Sequence, residues 1–207
     1  MNFSNYPDFR ERLHVLLDSD DISTSDLSTD VLDTIIGMGE QRVYRDLRSS
    51  AQDAQLTTVT ASNLAALPAD FLELRGSPYV GAFRVAVYEP WEVIQNYIQV
   101  GGRTDSHPIY YSFQSDALIF YPIQADGTAV TGQYYRRYPD LVIGLNPLFT
   151  RHPDVFLYAA LSSGGSFLGE QERTQTWEAQ YTQLVQQANE QERRRYTRGS
   201  KLATRVG

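Results

Sequence analysis

The chain has no cysteine in its 207 residues. That excludes a disulfide frame, a thiolate zinc site and a thiol nucleophile, and it fits assembly in a reducing compartment. Lysine is almost missing too: Lys201 is the only one, and every other basic side chain is arginine. Arginine favours planar, bidentate contacts over diffuse charge, although a genomic composition bias would give the same usage. No apolar run approaches the ~18 residues of a membrane span, so no membrane partner is expected. The opening stretch MNFSNYPDFRERL mixes acidic and basic residues with no apolar run, unlike a signal peptide. What remains is a hydrophobic content of 42%, ordinary for a folded protein, in a chain long enough for one good core or two small modules. Charge is unevenly placed. Arg193 to Val206 carries six positive charges and no acidic residue, while the whole chain is at −7, leaving the rest at −13. An acidic body with a basic arm is suited to reaching a partner.

Periodicity predicts helices at both ends. Phe9, Leu13, Leu16 and Leu17 share one face of a short helix that starts near Pro7. A Ser-, Thr- and Asp-rich loop over Ser19 to Asp30 follows. A second helix, capped by Ser28 or Thr29, carries an apolar stripe of Leu32, Ile35, Ile36, Val43 and Leu47. Its other face is read as charged: Glu40, Arg42, Arg45, Asp46 and Arg48. Gly37 and Gly39 interrupt it at a cost of ~1 kcal/mol each against Ala, so a close neighbour or a bend is expected there. Near the C-terminus, NPLFTRHPDVFLYAAL over Asn146 to Leu161 opens a helical hairpin. Pro153 suits its first turn, and His152 or Thr150 is the expected cap. The second helix, about Gln171 to Tyr196, has a stripe of Trp177, Tyr181, Leu184, Val185 and Ala188. At ~1.5 Å per residue it spans roughly 40 Å, long enough for one end to project.

The middle of the chain reads as β structure. Leu56 to Thr60, Phe71 to Leu74 and Phe83 to Tyr88 are candidate strands; in the last, Phe83, Val85 and Val87 alternate against Arg84 and Ala86. Glu89-Pro90-Trp91 starts a short helical turn ended by Gly101-Gly102. Ile109 to Phe113, Ala117 to Tyr121 and Thr128 to Arg136 then form a meander through turns at Gln114-Ser115-Asp116 and Asp126-Gly127, and short linkers make these strands antiparallel. The expected fold class is α+β: a helical bundle over 1–50 and 145–196, an inserted antiparallel β module over 55–140, and an extended basic arm over 197–207.

Catalytic chemistry has little support. His14, His107 and His152 are scattered and lack metal-ligand spacing. His14 reads as a helix-surface residue, and His107 beside Asp105 reads as a loop hydrogen bond before a dyad. Gly37-Met38-Gly39-Glu40 is not a dinucleotide fingerprint, since no strand precedes it and the third glycine is missing. Gly199-Ser200-Lys201 inverts the Walker order. DSDD at Asp18 to Asp21 lacks the glycine and closing Glu of a calcium loop. No enzyme activity, cofactor or metal site is expected. The patch Ser162-Ser163-Gly164-Gly165-Ser166, with almost no side chain, has two readings: close helix packing within the chain, or close approach of a neighbouring subunit or channel. Trp177, Tyr181, Leu184, Gly164 and Gly165 are the expected packing residues. The tail also has two readings, a solvated end or an arm that orders on a partner; Leu202 and Val206 set among Arg198, Lys201 and Arg205 suit a protein groove better than a phosphate backbone.

Four segments together carry a resemblance: GEQRVYRDLR at Gly39 to Arg48, LPADFLELR at Leu67 to Arg75, YYRRYPDL at Tyr134 to Leu141, and LFTRHPDVFLYAAL at Leu148 to Leu161. In order and spacing, over nearly the whole length, the chain resembles the adaptor, or head-to-tail connector, proteins of tailed bacteriophages, particularly the short-tailed type. Ser162 to Ser166 departs from that pattern, where more alanine and fewer glycines are expected. The resemblance implies a virion structural protein at the head–tail interface, assembled in the host cytoplasm. It implies a homo-oligomeric, dodecameric ring below the portal protein that extends the DNA channel, without sequence-specific DNA binding, and offers a platform to tail or nozzle proteins. It implies that Arg193, Arg194, Arg195, Arg198, Lys201 and Arg205, with Leu202 and Val206 as apolar anchors, dock on the portal. Another neck or tail-completion protein, or a nucleic-acid-binding protein using its Arg-rich tail, are the alternatives.

Overall fold

The computed structural model describes residues 3–17, 28–82, 84–100 and 108–197. The fold class is α+β, and the chain divides into two compact units, Met1–Gln52 with Tyr138–Gly207, and Asp53–Arg137.

The first unit is helical. Helix α1 is Tyr6–Leu17, α2 is Thr29–Asp46, and three more helices follow the return of the chain, α4 (Pro147–Arg151), α5 (Pro153–Leu168) and α6 (Gln171–Thr197). α5 is the central helix, packed against α1, α2 and α6. Its buried face runs from Val155 through Phe156, Leu157, Ala160 and Leu161 to Gly164 and Gly165. The aromatic rings of Phe3, Phe9, Phe149 and Phe156 form a chain of edge and tilted contacts with centroids 5.0–5.8 Å apart. Small residues set how closely the helices approach. A Cβ on Gly39 would lie 2.7 Å from the backbone nitrogen of Ala160, so α2 and α5 touch backbone to backbone. One on Gly164 would lie 2.9 Å from the Leu17 methyls, and one on Gly165 2.8 Å from the Trp177 ring. Gly37, by contrast, has nothing within 4 Å.

Helix ends follow their local chemistry. Ser28 Oγ accepts from Val31 N and caps α2. Asn146 Oδ1 accepts from Phe149 N at 2.8 Å and caps α4. His152, expected as a cap, occupies the N-cap position of α5 but makes no capping hydrogen bond. Its ring lies 3.2 Å from Ser49 Oγ, drawn there by a buried partner. The left-handed Gly169 (φ 77°) ends α5. Glu40, read from the sequence as part of a charged outer face, is only 3% exposed. It lies four residues after Ile36 and three before Val43, hence on the core stripe, and its carboxylate accepts from Leu141 N at 3.0 Å.

The second unit is a closed sheet. Its strands are β1 (Asp53–Ala61), β2 (Leu64–Ala66), β3 (Phe71–Leu74), β4 (Tyr79–Val80), β5 (Arg84–Tyr88), β6 (Ile109–Gln114), β7 (Ala117–Tyr121) and β8 (Ala129–Arg136), with helix α3 (Trp91–Val100) between β5 and β6. The order β1-β2-β7-β6-β5-β4-β8 returns to β1, and β3 adds to β8 beside β4. Leu56, Ala65, Val80, Ala86, Ile109, Tyr111, Leu118, Phe120, Val130 and Tyr134 fill the interior. Ser62 and Asn63, both at positive φ, make the tight turn from β1 to β2, as a two-residue hairpin demands.

Three expectations for this region are corrected. The module is not wholly antiparallel: β5 and β6 pair in parallel. The helical element expected between Pro90 and Gly101 is there as α3, and such a helical crossover is what lets two strands run the same way. α3 packs Ile94 against Ile119 and Tyr121 on the outer side of the sheet. The three-strand meander is also absent. β6 and β7 form the expected hairpin, but β8 pairs with β1 along Asp53–Val59 instead of with β7. Closure explains this: β8 must supply the edge that β1 would otherwise leave unpaired. The expected turn at Asp126-Gly127 is tied to the end of β1, where Gly127 N donates to Thr60 O at 2.8 Å. In β5, Ala86 is buried and Val85 and Val87 are exposed, the reverse of the face suggested by hydrophobicity. Period two says which residues share a face, not which face is inside. Phe83 lies outside the described residues.

Candidate assembly interface

Of the residues expected to dock on a partner, Arg193, Arg194 and Arg195 lie on the last turns of α6 and are exposed. Arg198, Lys201, Leu202, Arg205 and Val206 lie outside the described residues, as does His107. Arg195 Nη1 donates to Ser50 Oγ at 2.7 Å, and Arg194 pairs with Glu190 one turn back at 3.3 Å. Just before them, Glu192 faces inward and is 5% exposed. Its carboxylate takes an ion pair from Arg151 at 3.1 Å and hydrogen bonds from Ser49 Oγ and Ser50 Oγ. Ser50 Oγ also accepts from Arg151 Nη1 at 2.8 Å. The C-terminal end of α6 is therefore fixed by a polar cluster, and its three arginines are presented from an anchored helix end.

The sequence-expected packing residues meet along α5 and α6. Tyr181 is 2% exposed, while Trp177 and Leu184 are half-buried. Gly165 leaves the space that the Trp177 ring and Thr174 fill, and Gly164 the space for Leu17 and Ile35. Sequence reasoning missed the group that ties these helices together. Arg42 of α2 makes a two-pronged contact with Glu178 of α6, its Nη1 donating to Oε2 at 2.6 Å. Ser162 of α5 donates to the same Glu178 oxygen at 2.6 Å. Tyr181 donates to Asp46 at 2.8 Å, Arg42 lies 3.6 Å from Asp46, and its guanidinium stacks 4.1 Å from the Tyr181 ring centroid. Ser162, one of the small-residue patch, thus has a specific role. Asn189 adds a further tie: it donates to Asp46 O and accepts from Arg48 N, closing the C-terminal end of α2.

These contacts shift proton affinities. The hydrogen bond from Arg42 holds the Glu178 carboxyl below its usual value, with Ser162 adding to the effect. Burial, then the Asp46 hydrogen bond, pushes the Tyr181 phenol well up. Burial, then the nearby Arg151 charge, pulls His152 down, against the smaller pull of Asp154 and Glu192. Both depressed groups act in the same direction. Each loses protons more readily in the folded chain, so its stabilisation is present above the unfolded pKa and is lost as pH falls. For His152 that loss begins below 6.5 and for Glu178 below 4.5. The melting temperature is expected to drop between pH 7 and 5, and His152→Gln is expected to flatten that step while leaving the drop below pH 4.5. A melting temperature unchanged between pH 7 and 5 counts against it.

The four segments singled out in the sequence prove to be mutual ties within each unit. Glu40 and Tyr44 meet the backbone of Leu141 and Tyr138: Tyr138 N donates to Tyr44 Oη at 3.1 Å. In the β unit, Tyr134 Oη donates to Asp70 at 2.8 Å, and Arg137 N donates to Asp70 O at 2.7 Å. Their chemistry is that of fold closure. Among the described residues no group of three or more His, Asp or Glu could hold a metal ion, and no helix is long and apolar enough to cross a membrane.

No curated protein matches the chain. The profile of one family, described as SU10 adaptor protein, matches residues 4–205, nearly its whole length. This α+β chain, whose four singled-out segments tie each unit to itself and whose long last helix presents arginines from an anchored end, belongs to the SU10 adaptor protein family of phage structural proteins.

Proposed function

We propose that the chain is the subunit of a ring, dodecameric by the family resemblance, that sits below the portal at the virion neck, extends the DNA channel and offers a platform to tail proteins of a short-tailed phage. The family match over residues 4–205 carries this reading. On this assignment the helical part, 1–50 with 145–196, builds the ring. The β module, 55–140, faces outward or toward the tail. The arm, 197–207, docks on the portal together with Arg193, Arg194 and Arg195 at the helix end. Leu202 and Val206 seat in an apolar groove of the portal, and Arg198, Lys201 and Arg205 pair with acidic side chains at its rim. The body carries a net negative charge, which repels phosphate, so DNA passes without being held.

The test is to mix the purified chain with the portal ring of the same genome and image the product by negative stain. A second ring stacked beneath the portal supports the assignment; bare portals refute it. The arm has its own test. Because Arg195 is tied to Ser50, the cut belongs after Thr197. Removal of residues 198–207 is expected to leave the melting temperature within ~2 °C of the full chain, since charged termini add little to a fold, and to abolish stacking. A truncated chain that still stacks removes the arm from the docking role.

A further inference from the structure

The fully exposed positions of helix α6 are charged at both ends and uncharged between them. Glu172 and Arg173 open it, and Glu190, Arg193, Arg194 and Arg195 close it. From Gln175 to Gln187 every exposed position is Gln, Thr or Ala. The one charged side chain in that span, Glu178, is turned toward Arg42 and Ser162 within the unit. Over roughly 18 Å of helix the only charge is therefore Glu178, half-exposed at the flank and paired with Arg42, whereas about a quarter to a third of a soluble surface is usually Lys, Arg, Glu or Asp. Loss of charge is the compositional mark of the centre of a protein–protein contact.

We propose that this face of α6 is where a neighbouring copy of the same chain packs, a step that rests on the ring assignment above. The charge of the chain selects that occupant. Each copy stands at −7, so identical copies repel at a distance, and a contact surface free of charge adds no close like-charge pairs to that repulsion. Glutamine amides offer both a donor and an acceptor, so they satisfy a neutral polar surface without matched ions. A nucleic-acid backbone is a poor fit, because binding it needs positive side chains and this face has none. A single helical strip is also smaller than the ~800 Å² per partner of a self-standing interface. The contact thus holds when copies are gathered in a ring and fails for two copies alone, and the free chain is monomeric.

The experiment places a photo-crosslinking benzoylphenylalanine at Gln183, on the exposed face, and irradiates the full chain alone and stacked on its portal ring. Expected is a ladder in multiples of the 23.5 kDa chain from the stacked ring and none from the free chain. Crosslinks to the portal, or no crosslink in an image-verified ring, overturn the proposal. Gln183→Lys gives an independent reading: it keeps the melting temperature, because the position is exposed, and cuts ring yield at least tenfold. Wild-type yield of rings from Gln183→Lys also overturns it. If the unsubstituted chain forms no ring under the portal, the ring assignment has failed first, and the images show this before any crosslinking.

Discussion

Gly39→Ala is expected to destabilise the chain by about 2–3 kcal/mol, lowering the melting temperature by ~5–10 °C in a chain of this size. The added Cβ would sit 2.7 Å from Ala160 N and 2.9 Å from its Cα, with backbone on the other side and nothing flexible to give way. α2 and α5 must then separate along a contact that holds the helical unit together. The matched control is Gly37→Ala, two residues away on the same helix. Nothing lies within 4 Å of that position, so the higher helix propensity of alanine acts alone and should stabilise by up to ~1 kcal/mol. Opposite signs from one substitution type, read by thermal melts of the two variants, are the signature. Equal effects at both positions would mean that α2 and α5 do not meet as described.

Arg42→Ala is expected to cost about 2 kcal/mol or more, in line with the loss of a hydrogen-bonded ion pair that is partly shielded from water. Arg42 touches two other helices at once, Ser162 on α5 and Glu178 on α6. Its removal strips Glu178 of its cationic partner, Ser162 of a donor, and Tyr181 of the guanidinium over its ring. The exposure of Glu178, at 42% of its side chain, limits the electrostatic share. The double variant Arg42→Ala with Glu178→Gln is expected to lose less than the sum of the two, because each single change removes the same contact. Additive losses in denaturant melts would show that the two side chains act separately.

The polar network and the glycine contact differ in how visible they were beforehand. Gly39 was noticeable as a helix-breaking residue inside an otherwise regular stripe, and a close neighbour was one of its two readings. Arg42 offered no such sign. Its partner lies 136 residues away, and an arginine on the polar side of a helix looks the same whether it meets water or a carboxylate. Glu40 and Glu192 show a middle case. Each falls on the apolar stripe of its helix when 3.6-residue periodicity is applied strictly, so their burial was open to discovery, although their partners were not.

The helices were legible because their signals are local. The α6 stripe, the proline at the start of α5 and the Ser28 cap each depend on residues a turn or two apart, and such contacts form whatever the rest of the chain does. Order and spacing of the four segments likewise carried the family. The sheet was legible only in pieces. Strand identity and the β6–β7 turn are local, but the pairing of β8 with β1 joins residues 70 to 82 apart, and its register is set by the need to close an edge. The parallel pair β5–β6 and the inward face of β5 were decided the same way. The amino-acid sequence by itself determined which segments are helix or strand, where the charge lies and to which family the chain belongs. Tertiary structure alone decided which strands meet, which charged side chains are buried and which face of α6 is left uncharged toward solvent, because those depend on distant residues brought together only once the core has formed.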